Sequence, residues 1–223
     1  APAFADSPSQ KPNVIVLLAD DLGWTGLGCF GSDLYETPNL DRLALDGMKF
    51  TNAYAACTVC SPTRASIMTG MYPARLHLTD FIAGQNRPWA KLKIPTWTKY
   101  LEHERTTIAE ALNEAGYVTA QIGKWHLDDK SGTIKESGPT GHGFQIAHGK
   151  PPGTRGYYLS EKVRRETTGG SNFLTDYLTD RAIEVIDDHK DQPFFLYFAY
   201  HTPHTPIQGR EDLVKYFRSK VQH

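Results

Sequence analysis

Three apolar stretches frame this chain, and each leads into polar residues of the kinds that bind ions or move protons. Val14-Ile15-Val16-Leu17-Leu18-Ala19 is unbroken, rich in β-branched residues and bounded by Pro12-Asn13 and Asp20-Asp21. That is the pattern of a strand covered on both faces, at the centre of a parallel sheet. Tyr117 to Ile122 and Phe194 to Ala199 read the same way. Between them the period becomes helical. Thr37-Pro38-Asn39 offers an N-cap with proline at the first helical position, and Leu40, Leu43 and Ala44 share a face before Gly47. Thr107 caps a second helix, Ile108 to Ala115, which stops at Gly116. Phe173 to His189 is a longer amphipathic helix carrying Leu174, Leu178, Ile183 and Ile186. Phe50 to Ala55 predicts a short strand. Leu76 to Arg105 and Lys130 to Gly170 show no clean period and predict long loops of the kind that wall substrate pockets.

Strand, helix, strand, helix, strand with right-handed crossovers predicts an α/β fold, a mainly parallel sheet sandwiched by helices. Chemistry in such sheets gathers at the C-terminal ends of the strands. Asp20-Asp21 follow the first strand, Lys124-Trp125-His126 the second and His201-Thr202-Pro203-His204 the third. All three clusters are expected on one edge.

Composition narrows the function. The 223 residues carry a formal net charge of -1, which offers no global field for nucleic acid or an anionic membrane surface. No apolar run exceeds seven residues, far short of the ~20 a membrane span needs. Residues 1–12 form a polar, proline-containing lead-in that begins without methionine, as expected after removal of a signal peptide. A periplasmic or secreted protein is expected, and the absence of an Asn-x-Ser/Thr sequon favours a bacterial over a lysosomal setting.

Candidate chemistry centres on Cys60-Ser61-Pro62-Thr63-Arg64, followed by Ala65-Ser66-Ile67-Met68-Thr69-Gly70. Ser61 is a suitable N-cap, Pro62 fits the first turn and Gly70 fits the stop, which predicts a helix over 62–69. Its free N–H groups and dipole face residue 60, where an oxyanion is stabilised. The bland readings are a buried cysteine, or half of a Cys57-x-x-Cys60 pair for redox or zinc; zinc would want four ligands, and Cys29 is the only other thiol. Adjacent aspartates most often cap helices, and a lone lysine or histidine is usually a surface or satisfied core residue. Convergence of all these groups on one edge favours a site: hard oxygen ligands from Asp20 and Asp21, and an ammonium and an imidazole from Lys124 and His126.

Cys60-Ser61-Pro62-Thr63-Arg64 resembles the sulfatase signature, and Gly116 to His126 resembles the second signature of that family. Pro12 to Gly23 is similar to its opening strand and metal pair, and Pro203-His204-Thr205-Pro206 to its substrate-binding histidine segment. The resemblance implies an alkaline-phosphatase-like fold and a sulfuric ester hydrolase whose cysteine is oxidised to formylglycine by a formylglycine-generating enzyme. It implies Ca²⁺, or Mg²⁺, held by Asp20, Asp21 and the modified Cys60. It gives Arg64 to the hydrated aldehyde, Lys124, His204 and His201 to the sulfate, and His126 to the nucleophile hydroxyl. One geminal hydroxyl attacks sulfur, the alcohol leaves, and sulfate is expelled as the aldehyde reforms, which an ordinary serine could not do. A sulfated carbohydrate is the preferred substrate.

The family's pattern also includes an Asp-Asn pair and a further lysine beyond the Pro-His-x-Pro segment, which this chain does not contain. Residues 13–223 are therefore expected to be an apparently truncated N-terminal part of a catalytic domain, inactive or weakly active alone. The competing expectations are a non-catalytic fragment and a phosphoryl or phosphonate hydrolase of the same superfamily.

Overall fold

The computed structural model describes residues 11–221, so nearly all of the expected lead-in over residues 1–12 lies outside the described residues. In chain order the elements are β1 (Val14–Asp20), α1 (Pro38–Asp46), α2 (Cys60–Thr69), α3 (Pro73–Leu76), α4 (Ile108–Glu114), β2 (Val118–Gly123), β3 (Ile146–His148), α5 (Glu161–Arg164), α6 (Leu174–His189), β4 (Phe194–Pro203) and α7 (Glu211–Lys220). The four strands form one sheet in the order β1-β4-β2-β3, and every pair is parallel. The expected α/β architecture is observed.

β4 lies between β1 and β2 and divides the core by its pleat. Phe194, Leu196 and Phe198 pack with Leu174, Leu178 and Val185 of α6, whereas Phe195, Tyr197 and Ala199 pack with Ala65 and Met68 of α2 and Ala109 of α4. Alternate residues of a strand point to opposite faces, so helices on both sides bury the strand completely. Each fully buried phenylalanine contributes roughly 1.5–3 kcal/mol by area.

Several local expectations hold. Thr107 accepts from the Glu110 backbone N–H while the Glu110 carboxylate accepts from the Thr107 N–H, a complete capping box for α4. Others are corrected by the structure. β1 is an edge strand among the described residues: Ile15 and Leu17 are 46% and 53% exposed, because the cluster beneath α6 is built on β4 and β2. Only Val14, Val16 and Leu18 pack, on the opposite face. Phe50 to Ala55 is not a strand, since no described segment pairs with it, and Phe50 and Tyr54 stand exposed. The 130–170 stretch is less irregular than expected, holding β3 and α5. In the 76–105 stretch Leu78, Ile82 and Leu101 are buried in the body of the protein.

Candidate active site

Parallel pairing brings the three polar clusters together. Gly123 pairs with Ala199 and Asp20 with Pro203, so the ends of β1, β2 and β4 are level. At Gly123 φ is +97°, and a Cβ there would stand 1.9 Å from the Ala199 carbonyl oxygen. Only glycine lets β2 turn away so close to β4. The Lys124 N–H then donates to that same carbonyl at 2.8 Å.

Helix α2 starts two residues earlier than its sequence predicts. Val59 is the N-cap and Cys60 the first helical residue, so Cys60 and Arg64 are one turn apart on one face. Ser61 does not cap; its hydroxyl accepts the Ile82 N–H at 3.1 Å and anchors the 76–105 loop.

The Arg64 guanidinium is buried. Its Nη2 lies 3.3 Å from Asp20 Oδ1, its Nη1 donates to the Lys124 carbonyl at 2.7 Å, and its Nε has no partner. Lys124 Nζ donates to Asp20 Oδ2. Burial by itself would raise the Asp20 pKa, but the hydrogen bond from Lys124 and the charges of Arg64 and Lys124 outweigh it and hold the carboxyl below its usual value. Tyr197 stands 3.5 Å from Arg64 at the floor, and burial keeps its hydroxyl protonated.

Cys60 Sγ lies 3.3 Å from His126 Nδ1, and His126 Nε2 is hydrogen-bonded to the Ile82 carbonyl. A carbonyl only accepts, so Nε2 carries the proton and Nδ1 turns its lone pair toward residue 60. Burial first, and then the Lys124 charge, lowers the His126 pKa, which keeps the imidazole neutral. His126 and Asp21 have φ of +60° and +67°, sparsely populated backbone of the kind that gathers at functional sites.

Asp21 is half-exposed and faces His204, Nε2 to Oδ2 3.7 Å. Asp20, Asp21, Cys57, Cys60 and Arg64 line one cavity of about 380 Å³. His201 is pushed down to about 4, first by burial and then by the charges of Lys124 and Arg64, and its Nδ1 is buried without a partner. All of the expected side chains thus reach one strand-end region.

As a metal site the set does not suffice. Calcium takes six to eight oxygens, whereas Asp20 and Asp21 offer two carboxylates, one already engaged by Lys124 and Arg64. Among the described residues no group of three or more His, Cys, Asp or Glu side chains is placed to hold an ion. The same holds for zinc, and the three cysteines are free thiols.

Some contributors carry no signal in the sequence. The Tyr157 hydroxyl sits 2.8 Å from the His201 carbonyl and also bonds the His204 carbonyl, clamping the histidine segment from the 130–170 loop. Ile82, which fixes the His126 tautomer, comes from the other long loop. Ser61 lies inside the legible motif, but its partner is visible only in the fold.

The sequence model of the Sulfatase family matches residues 12–222. An arylsulfatase of Hemicentrotus pulcherrimus is 34% identical over 229 residues, covering 92% of this chain and 40% of the relative. The N-acetylgalactosamine-6-sulfatase of Homo sapiens is 33% identical over 223 residues, with 91% and 41% covered. A crystal structure of Ps i-CgsB in complex with k-i-k-neocarrahexaose superposes with a TM-score of 0.75 at 30% identity, covering 96% of this chain and 50% of that one. The chain spans roughly two fifths of the length of these curated relatives.

Proposed function

Because the chain belongs to the sulfatase family, we propose that its site hydrolyses sulfuric esters of carbohydrates, with residue 60 as the nucleophile. The observation that carries this reading is the line from Cys60 Sγ to His126 Nδ1 at 3.3 Å and on from His126 Nε2 to the Ile82 carbonyl. A formylglycine formed from Cys60 by a formylglycine-generating enzyme would supply a hydrated aldehyde, whose oxygen attacks sulfur.

The side chains around that position do the rest. His126 presents an unprotonated Nδ1 to the group at residue 60 and takes its proton, the role of a general base. Lys124 and Arg64 place two cations beside the cavity, where the oxygens of an anionic sulfate gain from them in a poorly solvated setting. Asp20 neutralises part of that charge and fixes where both cations point. His204, held by the clamp on its backbone, lies across from Asp21 to contact the ester. Asp20 and Asp21 are the residues that would offer oxygens to Ca²⁺ or Mg²⁺, with further ligands needed from elsewhere.

Carbohydrate esters are favoured as substrates because a relative is named for N-acetylgalactosamine 6-sulfate and a structural neighbour holds neocarrahexaose. No feature of the site favours phosphoryl over sulfuryl transfer. The test is twofold. The tryptic peptide Phe50 to Arg64, from protein made in a host with the maturation enzyme, should have the mass of the aldehyde form, and that protein should release sulfate from an aryl sulfate or a sulfated saccharide. An unmodified thiol together with no sulfate release would remove this reading, and Cys60→Ala should abolish any release found.

A further inference from the structure

A second hollow opens on the same sheet edge, on the far side of Lys124 and His126 from the cavity at Cys60. Its volume is about 420 Å³, and Lys124, His126, Asp128, Lys130, Lys150 and His201 are among its lining residues. Three lysines therefore line it against one aspartate. This excess is local, since the whole chain carries -1. Asp128 is held by Lys130 at 2.5 Å, and Lys124 is held by Asp20. Lys150 makes no ion pair among the described residues. The neighbouring Asp129 is turned into its own loop, accepting from the backbone N–H groups of Ser131 at 2.9 Å and Ile134 at 2.8 Å, and does not line the hollow.

The lysine charges act across this space. Those of Lys124 and Lys150 help to lower the His201 pKa after burial, and that of Lys130 adds to the lowering at His126. An uncompensated ammonium at a concave surface attracts a small anion, and one tethered to a bound substrate most of all. Lys124 and His126 line this hollow and contact Asp20 and Cys60, which line the other cavity, so the two cavities are neighbours.

We infer that this hollow is a subsite for a second anionic substituent, sulfate or carboxylate, on a sugar next to the one whose ester is cleaved, with Lys150 as its recognition residue. The inference rests on the sulfate ester reading above and deepens it: the preferred glycans are those charged on neighbouring rings. Lys150 determines specificity and takes no part in the chemistry.

The test is calorimetric titration at low salt of the full chain carrying Cys60→Ala, so that turnover cannot interfere. The probes are three disaccharides of one backbone, bearing a single sulfate, a second sulfate on the adjacent ring, or a carboxylate there. The second anion should tighten binding about tenfold, the scale of one hydrogen bond to a charged group. Adding Lys150→Ala should erase that gain and leave the monosulfated sugar unchanged, whereas Lys150→Arg should keep it. If only the second sulfate or only the carboxylate tightens binding, that anion is the ligand. Equal affinity for all three sugars, an equal loss for all three in Lys150→Ala, or no binding at all would overturn the subsite. Failure of sulfate release with the second-anion gain intact would instead remove the hydrolase reading alone.

Discussion

Cys60 Sγ and His126 Nδ1 stand 3.3 Å apart, and the Ile82 carbonyl holds the other imidazole nitrogen. The relationship depends on three separated pieces of chain: the start of α2, the turn after β2 and the loop that Ser61 anchors. It makes His126 a base of fixed tautomer. In protein with a mature residue 60, His126→Ala should lower kcat/KM by about 10²- to 10³-fold. Burial and Lys124 hold the His126 pKa below 6.5, so the basic form persists into mild acid, and the acid limb of the pH profile should have its midpoint below 6.5. A midpoint at or above that value would contradict this placement of His126.

Asp20 sits between two cations with 3% of its surface exposed. Asp20→Asn keeps the shape and removes the charge, leaving Arg64 and Lys124 uncompensated in a buried setting. A loss of about 3 kcal/mol or more is expected in urea unfolding. The carboxylate also contributes a pH dependence. Its folded pKa lies below 3.8, so its contribution is complete above that pH and is lost as the pH falls through the folded value, where the unfolded chain has already bound the proton. The variant should lack this part of the acid transition.

His142 is fully buried, stacked on His103 at 4.6 Å, and neither ring nitrogen has a partner. Burial first, and His103 next, push its pKa down to about 4, against the smaller opposing effect of Glu110. The unfolded chain takes up this proton near 6.5 and the folded chain does not, so stability should fall as pH drops from 6.5 toward 4. Thermal midpoints across that range measure the slope, and His142→Phe should reduce it, leaving the share that His126 and His201 contribute. An identical slope in the variant would exclude His142 as its source.

Gly123→Ala tests the strand ends. The new Cβ would meet the Ala199 carbonyl oxygen at 1.9 Å in a backbone with φ +97°, and neither partner is a flexible side chain. A cost at or above ~3 kcal/mol, the upper end of ordinary substitutions, is expected. Turnover should fall with it, because the shift displaces Lys124 and His126 together. Gly70→Ala, at φ +67° with nothing within 4 Å, is the milder control.

Local physics explains what could be read from the chain. The Thr107–Glu110 box, the apolar stripe of α6 and the helix that follows Cys60 are short-range patterns. So is the placement of charged residues just after each apolar run, which parallel pairing then gathers on one edge. Failures came where a neighbour decides. An unbroken apolar run reads as buried on both faces, yet Ile15 and Leu17 of β1 are exposed because α6 covers other strands. Ser61 has the chemistry of a cap, yet its hydroxyl went to Ile82. Tyr157 gave no signal, since its hydroxyl meets carbonyls more than forty residues away.

By itself the sequence determined the parallel α/β framework, a helix just after residue 60 and the set of groups gathered at the strand ends, because each follows from spacing along a few turns or one strand. Tertiary structure alone decided that β1 lies at the edge, that His126 turns Nδ1 toward Cys60, and that Asp20 spends its charge on Arg64 and Lys124. Those outcomes depend on strand order, on a loop carbonyl and on burial of a charge, and each arises only when distant segments share one low-dielectric space.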